Sequence, residues 1–201
     1  MALLELPDTE ALTLASITPD VPDQLNRSIW SRKGKVVGLP GAEVWRIAAT
    51  VGPIATELEE RPWRAFLHGL KGRQNHFHYP VACQRHVGPM PLVNAASAAG
   101  YSIPLDGMQP STRILSAGQY LTVPLPSGHF RLVMLVADLI TNSSGEATAS
   151  LNIALGEIPA NNAAVETAYP YVPVICTDGN PSLAYENGVS SASLNLEEHM
   201  L

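Results

Sequence analysis

Glu43-Val-Trp-Arg-Ile-Ala-Ala-Thr-Val51 decides the fold class. Trp45, Ile47 and Ala49 fall on one parity and Val44, Arg46 and Ala48 on the other, the period of two that belongs to a strand with one buried face. The same reading applies at the far end of the chain, where Val189 to Leu196 puts Ala192, Leu194 and Leu196 on one face. Elsewhere the pattern predicts strands at 24–31, 35–37, 74–79, 112–116, 119–125, 130–139, 146–153 and 172–176. Arg32-Lys-Gly-Lys35 reads as a hairpin turn, with glycine where positive φ is easiest. Asn142-Ser-Ser-Gly145 is a turn as well, and its match to the glycosylation triplet is accounted for by turn chemistry. The 17 prolines and 15 glycines are spread along the whole chain as punctuation, which suits many short strands. A mainly β fold is therefore expected.

One segment has helical spacing. Trp63, Phe66, Leu67 and Leu70 stand at i, i+3, i+4 and i+7, an apolar stripe that predicts a core helix packed on a sheet within 58–70. Pro62 belongs in a first turn, so regular helix is expected from about Arg61 or Pro62, with Glu59 and Glu60 at its positive end and Gly72 as its C-terminal stop.

The 201 residues carry 12 Lys+Arg against 18 Asp+Glu, a net charge of −6, so phosphate neutralisation has little charge to draw on and nucleic-acid binding is not expected. Only 15% of residues are charged while 46% are hydrophobic, which predicts a surface partly committed to partners. No apolar run approaches the roughly 20 residues needed to span a bilayer. The first residues lack a basic segment followed by an apolar one, so a cytoplasmic site of synthesis is expected. Cys83 and Cys176 are too few for a disulfide framework or a zinc site, and both are expected to be reduced.

Charge is uneven along the chain. Residues 1–85 hold 10 basic and 9 acidic side chains, whereas 86–201 hold 2 and 9. A stretch rich in Ala, Ser, Gly and Pro opens at the same place, so a boundary is expected near 82–90. With the apolar alternation of the final strand, this predicts one β domain from 1–82 with 180–201 and a second from 88–178. The cysteines flanking the second domain are expected to lie near each other without bonding.

Catalytic patterns are scarce. There is no Gly-x-Ser-x-Gly elbow and no phosphate-cradling Gly-x-x-x-x-Gly-Lys loop. Glu59-Glu60 and Glu197-Glu198 are adjacent pairs whose side chains diverge, so neither presents two carboxylates to one bond. No enzymatic activity and no cofactor is expected. His76 and His78 share one strand face at a spacing that metal ligands use, but no acidic residue lies between Arg61 and Asp106 to complete a set. No metal is therefore expected there; a metal-dependent enzyme built on the histidines is the weakest reading.

The ordered set of short motifs matters more than any one of them. Pro40-Gly41 before Trp45, Trp63-Arg-Ala-Phe-Leu-His-Gly-Leu-Lys-Gly-Arg73, Asn75-His-Phe77 with Pro80, Pro91-Leu-Val-Asn-Ala-Ala96 and Gly100-Tyr-Ser102 come first. Asp106-Gly107 with Pro110, Leu115-Ser-Ala-Gly-Gln-Tyr-Leu121, Leu132 with Val136-Ala-Asp138, Gly145-Glu-Ala-Thr148 and Ser191-Ala-Ser-Leu-Asn-Leu-Glu-Glu198 follow. Together they resemble the distal tail protein family of bacteriophages over nearly the full chain. Gln119 after Gly118, where an acidic residue is usual, and Ala154-Leu155-Gly156, where an arginine is usual, depart from the family pattern.

That resemblance implies a tail-tube-like β-sandwich with one α-helix and a second β domain inserted before the last strand. It implies a structural virion protein: a hexameric ring of the viral tail tip or baseplate, joining the tail tube protein to hub or tip proteins. DNA would pass through its bore without specific binding, and no membrane is implied. The ring would be assembled in the host cytoplasm. Arg32, Lys33 and Lys35 at the hairpin tip, and His76 and His78 on their strand, are the expected oligomer contacts. The alternative is a carbohydrate- or receptor-binding module, since Tyr101, Tyr120, Phe130, Tyr169 and Tyr171 fall within the second domain.

Overall fold

Alternation in Val44–Ile54 does what its pattern requires: Trp45, Ile47, Ala49 and Val51 are each at most 2% exposed. A computed structural model describes residues 1–7, 11–39, 42–94, 100–179 and 181–200. Pro40, Gly41, Ala95, Ala96 and the boundary at Asn180, used above, lie outside the described residues. Among the described residues no helix is long and apolar enough to cross a membrane.

In chain order the elements are β1 (Leu3–Leu4), β2 (Leu12–Asp20), β3 (Asp23–Arg27), β4 (Gly34–Gly38), β5 (Val44–Ile54) and α1 (Glu57–Gly69). Then come β6 (His76–Pro80), β7 (Leu92–Val93), β8 (Ser102–Asp106), β9 (Arg113–Leu115), β10 (Tyr120–Pro124) and β11 (Phe130–Met134). The last are β12 (Leu139–Ile140), β13 (Ala147–Ser150), β14 (Tyr171–Cys176), β15 (Ala184–Glu186) and β16 (Val189–Glu198). Among the described residues the fold is mainly β with a single helix, as the alternation indicated.

Two units emerge: Met1–Thr18 with Trp45–Cys83 and Tyr169–Leu201, and Pro19–Val44 with Gln84–Ala168. This corrects the expected division in two places. Residues 19–44 group with the second unit, because among the described residues β3 pairs only with β4 and the chain leaving them is held at Glu43 by the guanidinium of Arg131. Residues 169–178 group with the first, because β14 inserts between β6 and β16 as a central strand.

The first unit is one sheet in the order β1-β6-β14-β16-β5-β2, with β15 on β16. β16 runs antiparallel to β5 from Ser190 opposite Ile54 to Glu197 opposite Arg46, so Leu194 and Leu196 bury beside Ala49 and Ile47. Gly52 marks the irregularity in this ladder. Its φ is +101° and an added Cβ would stand 2.7 Å from the Ser190 carbonyl oxygen, a position only glycine tolerates.

α1 covers one face of this unit with Trp63, Phe66, Leu67 and Leu70, all 6% exposed or less. Phe66 meets Phe77 of β6 edge-on at 5.1 Å between ring centroids. Removing these four side chains from water contributes roughly 6–12 kcal/mol before the entropy of ordering them is counted. The helix begins earlier than its proline suggested. Thr56 caps it, its side-chain oxygen accepting from the Glu59 N–H at 3.4 Å, and Pro62 sits inside. The proline deprives the Leu58 carbonyl of a donor, but Leu58 is 78% exposed and Pro62 is exposed too, so water can serve that carbonyl. The helix ends at Gly69, and Gly72, at φ +68°, turns the chain where a Cβ would approach the Gly179 carbonyl oxygen to 2.8 Å.

The second unit holds four small sheets: β3-β4, β7-β8-β13, β9-β12 and β10-β11. Ile103, Leu105, Leu121, Leu132 and Leu135 are fully buried in its core. Short strands interrupted by Pro104 and Gly107 explain why β8 escaped the periodicity reading: five residues give too few alternations.

The cysteines are both free, but they are not neighbours. Tyr171 pairs with Pro80, so Cys83 continues past one end of β14 while Cys176 closes the other end, opposite Leu196. The five residue steps from Tyr171 to Cys176 alone span roughly 16 Å. The expected proximity fails because the chain returns beside Cys83 at residues 168–170, and β14 then carries Cys176 to the opposite end of the strand.

Phe66→Ala is expected to cost about 3–5 kcal/mol in urea denaturation followed by tryptophan fluorescence. Leu58→Ala, on the exposed face of the same helix, should stay within about 0.5 kcal/mol. Equal effects of the two substitutions would contradict the packing of α1.

Candidate functional site

Ser28 folds the basic segment back on itself. Its N–H donates to the Lys33 carbonyl at 3.0 Å, its carbonyl accepts from the Arg32 N–H at 3.0 Å, and its hydroxyl oxygen accepts from the Ser31 N–H at 3.2 Å. Arg32 takes the left-handed conformation at φ +53°. The turn therefore spans residues 28–33, earlier than the glycine suggested, and Gly34 pairs with Arg27 on the strand. β3 and β4 run antiparallel from Asp23 opposite Gly38, and every residue of both is exposed.

This register lifts Ile29 and Trp30 out of the expected strand and onto the tip, where they are 92% and 96% exposed. Neither residue was singled out from the sequence. Ser28-Ile-Trp-Ser31 carries the signal that could have found them, because serines at such spacing bond their own backbone and favour turns over strand. Arg32 and Lys33 flank them in the turn, and Lys35 lies on β4 opposite Asn26. Residues 23–38 carry four basic groups and Asp23, a net charge of +3, which leaves −9 on the rest of the chain. The arm is a basic, apolar-tipped ribbon on an acidic protein.

Its root is anchored. Arg131, fully buried, donates from Nη2 to the Glu43 carbonyl at 2.7 Å and from Nε to the Ala154 carbonyl at 3.2 Å. The Glu43 carboxylate, 1% exposed, stands 3.9 Å from the guanidinium and accepts from the Tyr101 hydroxyl at 2.8 Å. That hydrogen bond to a carboxylate raises the Tyr101 hydroxyl pKa above its ordinary value. A buried ion pair of this kind adds little net stability but is costly to break, so it fixes where the chain leaves β4 for β5.

The two strand histidines have companions in their own chain. His78 stacks on Tyr171 at 4.6 Å, and the His76 ring lies 5.2 Å from that of His199. Burial pushes both pKa values down, aided at His76 by the chain's amino terminus and at His78 by His76. Among the described residues no group of three or more His, Cys, Asp or Glu side chains could hold a metal. The adjacent glutamates diverge: Glu60 turns inward to accept from the Tyr185 hydroxyl at 2.7 Å and to pair with Arg64, while Glu59 is exposed. Glu198 accepts from the buried Trp45 N–H at 3.1 Å, and Glu197 faces Arg46. The aromatics considered for sugar binding separate, Tyr101, Tyr120 and Phe130 in the second unit and Tyr169 and Tyr171 in the first.

Arg131→Met should cost about 3–5 kcal/mol in chemical denaturation, because Glu43 keeps a buried charge without its cation, and adding Glu43→Gln should restore part of that loss. A loss below about 1 kcal/mol would contradict the anchoring of the root. Because folding lowers the pKa of His76 and His78 beneath the ordinary 6.5, the folded chain binds fewer protons than the unfolded one. Stability should therefore fall as pH drops through that range, and His76→Gln with His78→Gln should flatten the fall; an unchanged slope would contradict the burial of these rings. Comparison of the chain with protein-family models and with curated proteins finds no match.

Proposed function

We propose that this chain is a structural virion protein, a distal tail ring that joins a tail tube to the tip or baseplate. The observation that carries the reading is the arm: a ribbon of charge +3 with Ile29 and Trp30 bare at its tip, on a chain whose remaining residues carry −9. A two-stranded hairpin exposed on both faces is marginal alone and gains stability when another surface covers it. Tryptophan and arginine are also the residue types that dominate binding energy at interfaces.

A contact between a basic arm and an acidic body is heterologous: one patch on each copy meets a different patch on the next. Such contacts close into a ring when the rotation between copies permits, or else propagate as a filament. The ring form, its sixfold order, its tube and hub partners and its place in the virion tail follow from the resemblance of Trp63 to Arg73, Leu115 to Leu121 and Ser191 to Glu198 to the distal tail protein family. The deficit of basic groups outside the arm suits a bore through which DNA passes without being held.

Light scattering of the purified chain, together with its copy number in purified particles, tests this reading. The expected result is a closed oligomer of six copies that loosens as salt rises, since part of the attraction is between exposed charges. Ile29→Ala with Trp30→Ala should leave a folded monomer with unchanged circular dichroism. A wild-type chain that stays monomeric and is absent from particles would overturn the proposal.

A further inference from the structure

The arm needs a receptor, and the first unit contains a groove whose chemistry suits it. Leu12 and Leu14 of β2, Tyr79 of β6, Val81, Cys83 and Tyr169 line a cleft of about 450 Å³, and none of the described residues lining it is charged. Tyr79 is 1% exposed, and burial pushes its hydroxyl pKa up to about 12, while Leu14 and Tyr169 are 37% and 67% exposed. The groove thus has an apolar floor and an open aromatic rim, and β2 is the terminal strand of its sheet.

Two other clefts suit the arm less well. One on the same sheet is lined by Arg46 and Arg73 with Glu197, and another by Arg64 and His68, so each would set cations against Arg32 and Lys33. Like charges brought together at an interface cost several kcal/mol.

We infer that this groove receives Ile29 and Trp30 of a second copy of the chain, toward which the net negative charge of the receiving copy draws Arg32 and Lys33. The inference rests on the ring reading and adds the acceptor to it. A second copy is the occupant because the tip is bare in its own chain and the charges of arm and remainder are complementary, +3 against −9. Insertion of an indole into a desolvated apolar pocket, ringed by weaker polar contacts, is the usual form of an energetic hot spot.

Cys83 is exposed in the groove and Cys176 is buried, so the chain carries its own reporter. Ile29→Cys, oxidised with copper-phenanthroline, should give cross-linked dimers and higher oligomers on a non-reducing gel. These should dissolve in reductant and be lost when Cys83→Ser is added, because a disulfide requires Cα atoms within about 7 Å. Leu14→Arg, on an exposed strand position, should lower the association constant about tenfold or more with circular dichroism unchanged. Oligomers of Ile29→Cys that form without a bond to Cys83, together with Leu14→Arg assembling as wild type, would overturn the groove and leave the ring reading intact. A bond closed within one chain, seen as monomer mass with no free thiol at Cys83, would overturn the second copy as occupant. Failure of the wild-type chain to associate at all would remove the ring reading itself, and this inference with it.

Discussion

Antiparallel pairing of β5 with β16 is the interaction on which the chain's organisation depends. It joins Arg46 to Glu197 and Ile54 to Ser190 across most of the sequence, at the loop-closure cost that such separation brings. That cost is offset because both strands bury every second side chain, Trp45, Ile47, Ala49 and Val51 on one and Ala192, Leu194 and Leu196 on the other. β14 and β6 then extend the sheet, and α1 caps it through Phe66 on Phe77. With the ends of the chain committed to one sheet, residues 19–44 and 84–168 form a separate unit with its own core. The arm belongs to that second unit.

The arm reverses the physics of the sheet. Where β5 hides its apolar parity, β3 and β4 expose both faces, and the tip presents an isoleucine and a tryptophan to water. Exposed edges and apolar ribbons invite association, and soluble proteins usually blunt them with charge or cover them. Here the charge is present in Arg27, Arg32, Lys33 and Lys35, but it flanks the apolar tip without covering it. In the proposed assembly this combination would steer an acidic partner surface toward the arm, and the apolar tip would supply the contact once the surfaces meet. The buried Arg131 holds the Glu43 carbonyl at the root, and an arm restrained there would lose less entropy in the proposed docking.

Much of the fold was legible because burial imposes a period. Alternation found β5 and β16 almost to their ends, and the i, i+3, i+4, i+7 stripe found the buried face of α1. The start of that helix was misread, since a proline at position 62 outweighed Thr56 as a signal; solvent at Leu58 and Pro62 is what lets the proline sit inside. Residues 19–44 were assigned to the wrong unit because their placement depends on long-range hydrogen bonds, Arg131 to Glu43 above all, which no local pattern encodes. The basic cluster of the candidate site was visible as charge. Its apolar half was not, because Ile29 and Trp30 read as ordinary strand residues until the bonds of Ser28 move the turn. For the same reason the groove had no sequence signature: it gathers Leu12 and Leu14, Tyr79 and Tyr169, which stand far apart along the chain.

Hydrogen exchange of the assembled against the dissociated protein tests the central claim, that the arm is what joins one copy to the next, most directly. The account predicts that amides of residues 23–38 exchange quickly in the dissociated chain, as expected for a lone ribbon, and become strongly protected in the assembly together with those of β2. Arm amides that exchange equally fast in both states, while protection appears elsewhere, would contradict it.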